Sequence, residues 1–140
     1  MLKRVDKCKL LCVPPEGIVH AWPKARAFID RAYEEVDAHI PADLFNRLCD
    51  GRALMWLVYD DDSVLYVFIT ELYELRSGLK VCRLVAGAGE RMSEWLHLQS
   101  EIEAYARAEG CAKIVAEGRV GWSRALDGYR EVRRVIEKDL

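Results

Sequence analysis

A mixed sheet-and-helix domain, α/β or α+β, is predicted for this 140-residue chain by three observations. Two amphipathic helical patterns come first, an apolar run and a β-branched run then read as a hairpin, and a long helical pattern is flanked by two further strand signals. The length lies in the range of roughly 100–200 residues typical of one core. With neither an internal repeat nor a linker, the expectation is a single domain over 1–140.

From Trp22 to Val36, the residues Trp22, Ala25, Phe28, Ile29, Ala32, Tyr33 and Val36 recur at three- and four-residue spacings. That is one face of a helix, and Pro23 suits its first turn. Pro41 opens a shorter helix in which Leu44, Phe45, Leu48 and Cys49 share a face and Gly51 caps the end. Ala53 to Tyr59 is uninterruptedly apolar, the mark of a strand buried on both faces. Asp60-Asp61-Asp62-Ser63 turns the chain, and Val64 to Leu75 returns it as the second hairpin strand. The triple Asp lacks the spaced acids, central Gly and terminal Glu of a Ca²⁺ loop, so it reads as a solvated turn.

After Arg76-Ser77-Gly78 a strand from Leu79 to Ala86 is expected to stop at Gly87-Ala88-Gly89. Glu90 to Glu109 reads as one long helix, with Met92, Trp95, Leu98, Ile102, Tyr105 and Ala106 on its buried face and Gly110 as its stop. Lys113 to Glu117 reads as a strand and Val120 to Leu126 as a short helix. The segment from Tyr129 to Leu140 fits helix or strand equally by periodicity.

Composition excludes several classes. The chain is 51% hydrophobic and 31% charged, which fits an ordinary globule rather than a disordered or fibrous one. Its 21 Lys and Arg against 23 Asp and Glu contain no long block of one sign, so no general nucleic-acid footprint is expected. No membrane-spanning stretch and no signal-peptide core are seen, so the expected location is the cytoplasm. Cys8, Cys12, Cys49, Cys82 and Cys111 are odd in number and scattered, hence read as reduced thiols. Cys8 and Cys12 lack a second ligand pair, His20, His39 and His97 form no metal signature, and no metal site is expected.

The strand ending in Gly87-Ala88-Gly89 before a long helix, together with the stretch from Glu117-Gly118-Arg119-Val120-Gly121-Trp122 through Leu126-Asp127-Gly128-Tyr129 to Leu140, resembles the GNAT superfamily of N-acyltransferases. The likeness is strongest to its small phage and prophage members. It implies a mixed, mostly antiparallel central sheet, makes the last segment a strand, and completes the order α-α-β-β-β-α-β-α-β. It also implies acetyl-CoA as cosubstrate and an amine acceptor of unknown identity.

In that family an R/Q-x-x-G-x-G/A turn wraps the pyrophosphate, because backbone N–H groups and a helix start favour phosphate oxygens. By resemblance the cofactor site is Leu84, Val85, Gly87, Ala88, Gly89, Glu90 and Arg91, with the backbone at Leu84 and Val85 polarising the thioester carbonyl. Leu84 stands where Arg or Gln is usual, Arg83 points to the other face, and Glu90 sets a carboxylate beside the phosphates. The same glycines also suit a closely packed strand-to-helix connection.

Glu71 and Glu74, near the end of the second hairpin strand, are the candidate catalytic bases, against a plain reading as an exposed strand end. The usual acid Tyr of the short helix is replaced by Arg124, while Tyr129 matches a packing aromatic. Trp56 and Trp95 are expected in the core, Tyr59, Tyr66 and Tyr73 are candidates to line a cleft, and Trp122 is a candidate cap over the cofactor. Two functions follow: an acyl-CoA-dependent N-acetyltransferase, or a non-catalytic GNAT-fold binding or assembly module with a protein or virion partner.

Overall fold

The computed structural model describes residues 8–35, 40–61, 63–117, 125–133 and 136–140. Among the described residues five strands form one sheet in sequence order: β1 (Cys8–Val13), β2 (Ala53–Asp60), β3 (Ser63–Glu74), β4 (Lys80–Gly89) and β5 (Lys113–Ala116). Neighbours are antiparallel except β4 and β5, which are parallel. Helices α1 (Ile18–Glu35) and α2 (Leu44–Cys49) cover one face, and α3 (Met92–Trp95) with α4 (Gln99–Ala108) covers the other. The mixed, mostly antiparallel sheet flanked by helices is therefore present as expected.

Alternation sorts the apolar residues between two cores. Met55, Leu57, Val67 and Ile69 pack under α1 and α2, while their neighbours Trp56, Val58, Tyr66 and Phe68 pack under α3 and α4. A strand that feeds both faces must be apolar throughout, which is why β2 shows no alternation in sequence. Trp56 and Trp95 are core residues, and the Trp56 indole N–H donates to Thr70 Oγ1 at 2.9 Å.

Four details correct the sequence reading. The chain begins its sheet with β1, an edge strand unpredicted because Lys9 and a half-exposed Leu11 interrupt its apolar pattern. Cys8 and Cys12 share one face of it, so their four-residue offset reflects strand alternation and not a ligand pair. Helix α1 starts four residues before Trp22, leaving Pro23 inside it. The expected long helix is instead α3, a 3₁₀ turn over Leu96–Leu98 and then α4. Finally, Gly87-Ala88-Gly89 lies inside β4, opposite Phe68, Val67 and Tyr66, and not in a turn.

Residues 118–124, which carry most of the expected short helix together with Trp122 and Arg124, lie outside the described residues. Residues 129–133 and 136–140 form no strand, and Val132 and Ile136 are exposed, so the terminal strand implied by the family is not formed there. Among the described residues no helix is long and apolar enough to cross a membrane, and no three His, Cys, Asp or Glu side chains are grouped to hold a metal.

Cys82 sits fully buried in β4, and burial, assisted by nearby Cys111, pushes its thiol up to about 11. The unfolded thiol loses its proton near pH 9, so between about 9 and 11 the folded state binds more protons than the unfolded one. Stability must then fall as pH rises through that window, by up to roughly 2.7 kcal/mol at about 1.36 kcal/mol per pH unit. Urea midpoints from pH 8 to 11 should drop more steeply for the native chain than for Cys82→Ala. Parallel curves would refute the assignment.

Candidate cofactor and acceptor site

The centre of the molecule is a bulge in β4. Ile69 faces Ala86 while Thr70 faces Leu84, so Val85 is an extra residue with no partner in β3. The bulge reverses which side chains face which helices: Leu84 packs under Trp95, yet Ala86, two residues on, packs under α1. The ladder with β5 also ends here, its last pair being Leu84 with Ala116. From Val85 to Gly89, β4 has no strand partner on its β5 side among the described residues.

The direction of the exposed amides follows from one hydrogen bond. Glu90 N–H donates to Leu65 C=O at 2.9 Å, which makes Glu90 and Leu65 a bonded pair of the antiparallel ladder. Bonded and non-bonded pairs alternate, so Ala88 bonds to Val67 while the amides of Gly87 and Gly89 point to the open side. Of the four donors expected from Ala88 to Arg91, those of Ala88 and Glu90 are therefore spent on β3. The Gly87 and Gly89 amides thus form an open edge with no strand partner among the described residues.

The turn that follows suits a pyrophosphate badly. Arg91, in the left-handed region at φ 60°, binds Glu94 and approaches Asp60 at 3.3 Å. Arg31 of α1 reaches the Gly89 carbonyl at 3.4 Å and the exposed Glu90 carboxylate at 3.9 Å. Three carboxylates thus stand against two guanidinium groups, and α3 is a single turn with little dipole to offer. The Trp95 indole donates to the Glu90 carbonyl at 2.8 Å, tying the turn to the core. Between the open edge and α3, a cavity of only about 10 Å³ remains among Phe68, Leu84, Met92, Trp95, Gln99 and Leu126.

The glycines have a packing reason of their own. A Cβ on Gly87 would lie 2.9 Å from Tyr66 Cε1 and 3.2 Å from Phe68 Cδ1. The Tyr66, Phe68 and Trp95 rings form a compact cluster, with centroids 4.4 to 5.4 Å apart, that occupies the space next to β4. Tyr66 is therefore buried with this cluster, whereas Tyr59 and Tyr73 are half-buried.

The two candidate bases differ in setting. Glu74 faces Lys80 at the exposed end of β3. Glu71 faces Arg83, one register step from Leu84 and the bulge, and its carboxylate accepts a hydrogen bond from Arg47 of α2. Arg47 lies 3.3 Å from Asp43 as well. Arg31 and Arg47 were not identified from sequence, because both act across 58 and 24 residues of chain and share no local pattern with their partners. The Tyr129 hydroxyl donates to Glu103 at 2.8 Å and accepts from the Gln99 amide at 3.0 Å, a half-buried anchor between the C-terminal segment and α4.

No protein-family model matches the chain, and no curated protein matches its sequence. Solved structures do match in fold. An aminoglycoside acetyltransferase from an uncultured soil metagenomic sample superposes with a TM-score of 0.74 at 9% identity, over 96% of this chain and 97% of that one. An aminoglycoside N-acetyltransferase in complex with CoA gives 0.66 at 15% identity, over 100% and 99%. A ribosomal-protein-alanine N-acetyltransferase from Brucella melitensis biovar Abortus gives 0.61 at 12% identity, over 94% and 99%.

Proposed function

Proceeding from a chain that has the fold of the GNAT acetyltransferases, we propose that it transfers an acyl group from an acyl-CoA to an amine. The observation that carries this reading is the open β4 edge past the Val85 bulge, with the Gly87 and Gly89 amides turned outward beside the end of β5. The amine nitrogen attacks the thioester carbonyl carbon, the C–N bond forms as the C–S bond breaks, the amine gives up its proton, and the thiolate leaves to be protonated as CoA. The backbone around Leu84 and Val85 is assigned the carbonyl oxygen. Between the candidate bases, Glu71 is favoured for its place beside the bulge, with Glu74 three residues farther along β3.

Two features favour a second reading, a GNAT-fold binding or assembly module without catalysis. One is the net acidic turn at Asp60, Glu90 and Glu94. The other is that the cavity among Phe68, Leu84, Trp95 and Leu126 measures only about 10 Å³. Calorimetric titration with acetyl-CoA separates the two readings. Saturable binding is expected, with a gain in stability of about 2.7 kcal/mol at a hundredfold excess over Kd. Glu90→Gln, which removes an exposed carboxylate beside the phosphates, should tighten it several-fold. Absence of heat and of any thermal shift at millimolar acetyl-CoA would establish the non-catalytic module.

A further inference from the structure

In the acyl-transfer reading the thioester arm lies along the open edge of β4. With its carbonyl at Leu84 and Val85, the arm passes Gly87 and leaves the strand at Gly89, roughly 13 Å farther at about 3.3 Å per residue. Whatever follows the arm then meets the turn of Glu90 and Arg91. The ion pairs there join Arg31 to Glu90 at 3.9 Å, Arg91 to Asp60 at 3.3 Å, and Arg91 to Glu94. Among the described residues, two guanidinium groups thus stand against three carboxylates, a net charge of −1.

The least solvated of those carboxylates is Asp60, whose side chain is 14% exposed and whose Oδ1 is buried without a hydrogen bond among the described residues. A neighbouring group feels the negative field: burial pushes the Cys8 thiol up, and Asp60 and Glu94 each raise it further by more than Arg91 lowers it. Donors are scarce at the same place. The Ala88 and Glu90 amides are bonded to β3, each guanidinium already faces a carboxylate, and α3 is a single turn. A phosphate brings like charge and only accepts hydrogen bonds, so at the end of this edge it adds repulsion and leaves the unpaired Asp60 oxygen unsatisfied. A neutral end carrying a hydroxyl or amide donor avoids both costs.

We propose that the acyl donor of this chain is a thioester of the pantetheine type whose arm ends without phosphate, and that the nucleotide of CoA adds nothing to binding. The inference rests on the acyl-transfer reading, which supplies the thioester. The Gly87 and Gly89 amides hold the arm. Asp60, Glu90 and Glu94 form no ligand site of their own; they discriminate against a phosphorylated end.

The test is calorimetric titration of the full chain with S-acetylpantetheine and with acetyl-CoA, free of divalent cations. Salt is set at about 0.01 M and then about 0.1 M, which shortens the screening length from roughly 30 to 10 Å. At the lower salt S-acetylpantetheine should bind within about threefold of acetyl-CoA or tighter. Added salt should tighten acetyl-CoA and leave S-acetylpantetheine unchanged, because screening weakens repulsion. Glu90→Gln combined with Glu94→Gln, both at exposed side chains, turns the net charge of the turn to +1 and should shift the preference about tenfold toward acetyl-CoA. The Tm and the S-acetylpantetheine affinity of that variant should stay as they are, since exposed ion pairs contribute little. A native preference for acetyl-CoA above about threefold, an acetyl-CoA affinity that falls as salt rises, or an unshifted preference in the double variant overturns the proposal and leaves acyl transfer standing. Binding of neither thioester overturns both.

Discussion

Replacing Gly89 by alanine is expected to cost about 4 kcal/mol of folding stability, summing strained backbone and overpacking. Gly89 has φ +153°, and a Cβ there would lie 2.1 Å from the Leu65 carbonyl oxygen and 2.6 Å from Tyr66 Cα. Neither neighbour is a flexible side-chain end, so relief requires β3 to move. That movement would break the Glu90 N–H bond to the same Leu65 carbonyl, which sets the pairing at the end of β4. Gly78→Ala is the proper control. It shares a positive φ, +86°, but nothing lies within 4 Å of the added atom, so it should cost only about 1–2 kcal/mol. Urea denaturation of the two variants separates conformation from close approach. Equal losses would show that Gly89 is required only for its backbone angle, and the tight packing of β4 on β3 would lose its support.

That contrast also explains why the glycine pair looks like a turn in sequence. Close strand packing and a phosphate loop both select glycine, and a single sequence carries no signal that separates them. The hairpin of β2 and β3 was legible because its apolar and β-branched runs are long and its Asp-rich turn is short. Strand β1 was not, since an edge strand needs only one buried face and Lys9 with Leu11 occupies the other. The break between α3 and α4 was hidden for a different reason. Trp95, Leu98 and Ile102 keep helical spacing across the 3₁₀ turn, so periodicity passes through it unchanged. Of the candidate site, the strand carrying Leu84 and Val85 was visible in sequence, but its continuation through Gly87 was not. Its electrostatics were not, because Arg31 and Arg47 come to it from helices far away in the chain.

Trp95→Ala should produce a loss of similar size, about 3–5 kcal/mol, by removing the largest fully buried side chain of the α3 and α4 face. The indole does three things at once. It packs edge-on to Phe68 at 5.4 Å, tilts against Tyr66 at 4.4 Å, and donates to the Glu90 carbonyl. Trp95→Phe keeps most of the packing and loses the donor, so it should cost about 1–2 kcal/mol. The space opened by alanine joins the existing cavity beside Leu84, Met92 and Gln99, whose walls are almost wholly apolar. An apolar cavity stays dry and accepts an apolar guest. Indole added at millimolar concentration should therefore raise the Tm of Trp95→Ala and leave that of the native chain unchanged. A rescue of that kind would locate the indole between the open edge of β4 and α3, and its failure would mean that this face collapses once Trp95 is gone. In the first case the wall behind the Gly87 and Gly89 amides keeps its shape without the ring, so any acetyl-CoA bound there is held by the strand edge and not by the aromatic cluster.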